Sequence, residues 1–242
     1  MATFILIHGA WHGSWCWERI VPLLEQQGHR VLAPDLPGMG NDPTPLTTIT
    51  LDYWARFVAD LVLQQEEPVL LLGHSRGGVV ISQAAEYVSQ SIQKLIYLAA
   101  FLVPNGETLV DMVRKYHPHP ERRQDKYILS ADKKFSTAIP QAIPTIFYNN
   151  TPEFWAKRAA ELVGQEPMLV SSTPLMLSEQ HFGAIPRIYI ECLQDNAVPI
   201  TMQRGMVSAL PCQEVISLDT DHSPFYSTPE LLAKELLRCA VS

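Results

Sequence analysis

Residues 69–78, Val-Leu-Leu-Leu-Gly-His-Ser-Arg-Gly-Gly, decide the fold. The apolar run Val69 to Leu72 has the length of a strand and stops at Gly73, and a helical pattern runs from Arg76 to Ser89. Between them stands Gly73-His74-Ser75-Arg76-Gly77, a G-x-S-x-G sequence in the strand-to-helix setting that a nucleophile elbow requires. A serine on so sharp a turn is held in a strained backbone conformation, and glycines two residues before and after it let strand and helix approach closely. Its hydroxyl then projects over the carboxyl edge of a sheet. The backbone N–H of Arg76, at the start of the helix, points the same way and can donate to a developing oxyanion. Alone, G-x-S-x-G is a common chance match; the strand and helix around it carry the signal.

The rest of the chain repeats this alternation. Thr3 to Ile7, Arg30 to Ala33 and Pro68 to Leu72 read as short buried strands, followed later by Lys94 to Ala99, Arg187 to Cys192 and Glu214 to Leu218. Helical patterns lie between them: Trp17 to Gln27 with Gly28 as its stop, Leu51 to Gln65, Arg76 to Ser89, Met202 to Ala209, and a closing helix from Pro229 to Ala240. Six strands with intervening helices predict an α/β fold, a mostly parallel sheet covered on both faces. From about Pro104 to Pro186 the rhythm breaks. The division expected is therefore a core of residues 1–103 and 187–242 with residues 104–186 inserted as a cap, in which Glu153 to Val163 reads as a helix. So long an insertion suggests a lid over a site, although most of its aromatic residues are expected simply to pack it onto the core.

A serine hydroxyl is a weak nucleophile at neutral pH and needs a histidine base oriented by a carboxylate, in the chain order Ser, acid, His for this architecture. Of eight histidines, only His222 follows the last core strand, in Asp-Thr-Asp-His-Ser-Pro (219–224), on a loop where such a sheet places reactive groups. Asp195, just beyond the strand Arg187 to Cys192, is the acid that elimination selects. Asp219 and Asp221 are the alternatives, as sequence neighbours better placed to shape the histidine's own loop. The first strand ends in His8-Gly9-Ala10, where a backbone N–H commonly supplies the second oxyanion donor, and Ala10 is the candidate. Gly9, Trp11 and His12 are expected to bind substrate or wall its pocket, while Trp15 and Trp17 read as packing.

Composition removes several classes of function. The 242 residues are 47% hydrophobic, enough for one sizeable core, and 18 basic against 25 acidic residues leave a net charge of −7, without the basic excess a nucleic-acid partner demands. The longest apolar run, Leu95 to Val103, is about half of a membrane span. Four cysteines, Cys16, Cys192, Cys212 and Cys239, form no CxxC pair, and the chain opens directly on strand-like residues, so a cytoplasmic protein with reduced thiols is expected.

Phe4 to Trp17, Ala33-Pro34-Asp35-Leu36-Pro37-Gly38, Gly73-His74-Ser75 and Cys192-Leu193-Gln194-Asp195 together resemble the α/β-hydrolase fold family, in the branch of plant methylesterases of the salicylate-binding type, hydroxynitrile lyases and similar bacterial esterases. The resemblance implies Ser75 as nucleophile, His222 as base, Asp195 as its orienter, and the backbone N–H groups of Ala10 and Arg76 as oxyanion hole, with no metal or organic cofactor. It covers roughly residues 3 to 104 and 181 to 240 and is vague in the cap. Two departures separate this chain from the lyases it resembles, which carry Thr or Asn in place of Gly9 and, in one type, Lys in place of Ser223. Exchanging both, Gly9→Thr with Ser223→Lys, is accordingly expected to shift any activity toward a lyase. A serine nucleophile also argues against epoxide hydrolases and haloalkane dehalogenases, which attack through a carboxylate. The expected function is a serine carboxylic ester hydrolase acting on uncharged small esters, aryl or alkyl and including methyl esters. A carbon–carbon lyase and a ligand sensor on a hydrolase scaffold are the alternatives. The expected partner is a small-molecule ester, neither nucleic acid nor membrane, and a homodimer is compatible with the sequence.

Overall fold

The computed structural model describes residues 1–119 and 126–241. Its nine strands are β1 (Thr3–Ile7), β2 (Arg30–Leu32), β3 (Val69–His74), β4 (Ile92–Leu98), β5 (Tyr127–Leu129), β6 (Phe135–Ala138), β7 (Gln165–Pro167), β8 (Arg187–Cys192) and β9 (Glu214–Leu218) among the described residues. The helices are α1 (Val21–Glu25), α2 (Leu51–Leu63), α3 (Gly77–Val88), α4 (Leu109–Tyr116), α5 (Ile143–Phe147), α6 (Glu153–Leu162), α7 (Met168–Ser172), α8 (Ile200–Ala209), α9 (Pro224–Ser227) and α10 (Pro229–Val241), again among the described residues.

Six strands form one sheet in the order β2-β1-β3-β4-β8-β9, and every neighbouring pair is parallel. Successive residues of a strand point to opposite faces, so an apolar run with no visible alternation feeds two cores at once. Val69, Leu71, Leu95 and Tyr97 face one core with Trp54 and Val58 of α2 and Val80 and Ala84 of α3. Leu70, Leu72, Ile96 and Leu98 face the other with Leu24 of α1 and Leu232 and Leu236 of α10. Because all six strands run the same way, their carboxyl ends share one edge. The order reverses between β1 and β3, and the crevice outside that reversal is where such sheets bind ligands.

Local chemistry sets the element ends. The Thr50 hydroxyl accepts from the Tyr53 N–H at 3.1 Å and caps α2, with Asp52 in its first turn. The helix expected from Trp17 to Gln27 is shorter: a 3-10 turn occupies Ser14–Trp17 and α1 starts only at Val21. Pro22 lacks an N–H and is accommodated only in a first helical turn, which sets that start. The segment between β4 and β8 holds more structure than its one expected helix. It adds α4, α5, α7 and an antiparallel sheet in the order β5-β6-β7, whose strands of three or four residues are too short to show a strand pattern. None of the four cysteines is bridged, and among the described residues no helix is long and apolar enough to cross a membrane.

Candidate active site

The elbow is a backbone construction. Ser75 has φ 54°, the left-handed region that costs a non-glycine residue on the order of 1–3 kcal/mol. Surrounding hydrogen bonds enforce it: the Ser75 N–H donates to Leu98 O at 3.1 Å, and its carbonyl accepts from Gly78 N and Phe101 N at 3.1 and 3.0 Å. A Cβ at Gly73 would lie 2.7 Å from the Gly77 backbone, and one at Gly78 only 2.4 Å from Phe101 O. Gly73 is there because strand and helix nearly touch, and Gly78 because the helix nearly touches the backbone that follows β4.

The carboxyl ends of β8 and β9 bring the other two side chains together. His222 Nδ1 and Asp195 Oδ2 are 2.6 Å apart, and both residues are buried. Asp195 turns its second oxygen to the N–H groups of Ala197 and Val198, at 2.7 and 2.8 Å. Asp221 is engaged elsewhere, accepting from Asn150 N, Thr151 Oγ1, Ser223 N and Ser227 Oγ, and Asp219 accepts from Gln194. With Nδ1 directed at the carboxylate, His222 Nε2 makes no hydrogen bond among the described residues. The Ser75 hydroxyl makes no hydrogen bond among the described residues, and such contacts commonly tighten only when substrate arrives.

Three further histidines, His74, His8 and His12, are buried, and burial keeps each neutral. His74 Nε2 donates to the His222 carbonyl at 2.9 Å, with the rings 4.5 Å apart, and its pKa lies well below the ordinary value because of burial and the neighbouring His222 and His12. His8 is lowered to about 3 by burial and by the charge of Arg76; it accepts from Leu36 N at Nε2, so its Nδ1–H donates to Gly9 O at 2.9 Å. His12 is lowered to about 4 by burial, donates from Nδ1 to Ala10 O and accepts at Nε2 from the Tyr148 hydroxyl.

Ala10, Trp11, Ser75 and Arg76 line one cavity, closed mainly by apolar side chains such as Phe101, Leu109, Val113, Ile146 and Phe147. The N–H groups of Ala10 and Arg76 donate to no protein acceptor among the described residues. Gly9 and His12, expected to contact substrate, stand behind that lining. A Cβ on Gly9 would lie 2.8 Å from Ser75 Cβ, and both ring nitrogens of His12 are taken by the protein. Sequence reading did not find Glu166 of β7, which lines the cavity and pairs with Arg76. Nor did it find His74 as a support for His222. The histidine stood beside the serine in the motif, but its partner is 148 residues away.

A profile of the alpha/beta hydrolase family matches residues 4–235. Putative methylesterase 11, a chloroplastic protein of Arabidopsis thaliana, is 33% identical over 98% of this chain, which spans 63% of that protein's length. Methylesterase 3 of the same plant is 33% identical, with 98% of this chain and 95% of its own length aligned. Among solved structures, a pyrethroid hydrolase from Sphingobium faniae JZ-2 superimposes with a TM-score of 0.90 at 32% identity, covering 100% of this chain and 98% of its own.

Proposed function

The chain belongs to the alpha/beta hydrolase family, and from that premise we propose that it hydrolyses carboxylic esters with Ser75 as nucleophile, His222 as base and Asp195 as its orienter. The observation that carries this reading is the 2.6 Å contact of His222 Nδ1 with buried Asp195, beside a serine held at φ 54° on the cavity floor.

His222 Nε2 takes the proton of Ser75 Oγ as the oxygen attacks the ester carbonyl. The negative charge that develops on the carbonyl oxygen is met by the N–H groups of Ala10 and Arg76, the latter at the N-terminus of α3, where the helix dipole adds its field. The imidazolium is stabilised by Asp195, returns its proton to the departing alcohol, and leaves an acyl group on Ser75. Water activated by the same His222 then releases the acid. The apolar cavity wall favours an uncharged acyl group and a small alcohol, as in aryl or methyl esters.

Lyase chemistry fits the geometry poorly. A threonine at Gly9 has no room for its Cβ, and Ser223 is fully buried, so neither position can present a polar or cationic side chain to a leaving cyanide without rebuilding the site. The test is turnover of a panel of aryl acetates and aryl methyl esters beside one cyanohydrin, with Ser75→Ala as the blank. Ester hydrolysis abolished by that substitution is expected. Cyanide release outrunning the hydrolysis of every ester would overturn the reading.

A further inference from the structure

Two opposite charges are buried beside Ser75, in the wall of the same cavity. Arg76 is 1% exposed and Glu166 is 2% exposed, with Arg76 Nε 2.8 Å from Glu166 Oε1 and Nη2 3.3 Å from Oε2. An apolar pair would fill the same space without desolvating two ions, so packing alone does not account for them. Their remaining bonds do. Arg76 Nη2 also donates to Gly9 O at 3.1 Å, and Glu166 Oε2 accepts from the Trp11 N–H at 3.2 Å. These two contacts bracket Ala10 on both sides.

The Gly9 carbonyl and the Ala10 N–H belong to one peptide unit, and in a planar trans peptide they point in opposite directions. Drawing the carbonyl toward the guanidinium therefore turns the Ala10 N–H away from it, toward the cavity at Ser75. His8 Nδ1 donates to the same carbonyl at 2.9 Å, and a carbonyl loaded by a cation and a second donor makes its own N–H a stronger donor. Trp11 sits at φ 61°, a conformation a bulky residue adopts only when its surroundings impose it, and its carbonyl accepts from Gly164 N at 2.8 Å. The guanidinium carbon lies over the indole of Trp54, 4.2 Å from the ring centroid, which covers a face of the cation.

We propose that the buried Arg76–Glu166 pair is the positioning device of the oxyanion hole. Arg76 supplies one donor from its own backbone and orients the other through its guanidinium, while Glu166 holds both that guanidinium and the Trp11 peptide. Because Glu166 lies on β7, between β4 and β8, the hole is built jointly by the parallel-sheet core and the segment inserted into it. The inference rests on the reading of Ser75 as nucleophile.

The test compares the native chain with Glu166→Gln, Arg76→Lys and the double change Arg76→Leu with Glu166→Leu, which leaves no unpaired ion behind. For each, kcat and KM are measured on p-nitrophenyl acetate, with the inhibition constant of phenylboronic acid, whose adduct with an active serine places an oxygen in the hole, and with Tm. The double variant is expected to keep its Tm, lose about 10- to 100-fold in kcat with KM nearly unchanged, and bind the boronate more weakly by a similar factor. Arg76→Lys and Glu166→Gln are expected to fall between it and the native chain, and they carry the test if the double variant does not fold. Folded variants with native kcat and native boronate affinity would overturn the proposal and reduce the pair to packing. A native chain that neither turns over the ester nor binds the boronate would instead sink the hydrolase reading, and this inference with it.

Discussion

Asp195 and Asp221 both lie close to His222 in the fold, and what each binds separates their roles. Asp195 holds the ring at 2.6 Å, whereas Asp221 ties its loop to Asn150 and Thr151. Asp195→Asn is accordingly expected to lower kcat by on the order of 10³ to 10⁴, through loss of the required tautomer and of imidazolium stabilisation, with folding retained. Asp221→Asn should instead lower stability by about 1–3 kcal/mol while the folded enzyme stays active, since it weakens hydrogen bonds to a buried carboxylate. Steady-state kinetics beside urea unfolding checks both, and the reverse assignment of effects would contradict the account. Gly9 is the second test at this scale. With a Cβ 2.8 Å from Ser75 Cβ and 2.9 Å from His74 Nδ1, Gly9→Ala is expected to cost roughly 100-fold in kcat/KM by displacing the nucleophile. The expectation that Gly9→Thr with Ser223→Lys opens a lyase route is corrected on the same ground: that double variant should lose esterase activity without gaining cyanide release. The places of Ser75, Asp195 and His222 just past the ends of β3, β8 and β9 were legible because each follows a recognisable core strand. Glu166 was not, since its partner Arg76 is 90 residues away and no local pattern in a three-residue strand marks it.

At the level of elements, the contact of β3 with α3 is the one the site depends on. Gly73→Ala would put a Cβ 2.7 Å from the Gly77 backbone, and overpacking of this kind typically costs about 1–3 kcal/mol. Gly164→Ala meets nothing within 4 Å and serves as the control, with stability expected within about 0.5 kcal/mol of the native chain. Denaturant midpoints compare the two, and equal stability of both variants would remove the close-approach argument for the elbow. The core elements could be read because an apolar run bounded by Gly or Pro is distinctive: Arg187–Cys192 and Glu214–Leu218 stand where the pattern put them. Elements defined by tertiary contacts were hidden. Phe135–Ala138 and Gln165–Pro167 pair with each other across a long stretch of chain, and nothing in Gln-Glu-Pro alone announces a strand.

Across the whole molecule, a cluster of buried neutral histidines makes stability depend on pH. His8 and His12 take up protons only near 3 and 4 in the folded chain against 6.5 for an exposed ring, and His74 is shifted in the same direction. Below about 6.5 the unfolded chain therefore binds more protons than the folded one, so stability falls as pH drops through that value and is insensitive to these rings above it. His8 and His12 each account for on the order of 2 kcal/mol lost at pH 5, partly offset by Glu166, whose carboxyl is pushed up by burial. Urea unfolding at about pH 7.5 and pH 5 should give clearly different midpoints, and equal ones would mean the rings are charged or hydrated in the folded state. The central claim is that one serine of this chain is activated, and covalent trapping tests it most directly. Intact-mass and peptide mapping after brief exposure to an aryl fluorophosphonate should find a single adduct per chain, on Ser75, formed in step with loss of ester hydrolysis. An adduct on any other residue, or undiminished hydrolysis with Ser75 fully modified, would contradict it.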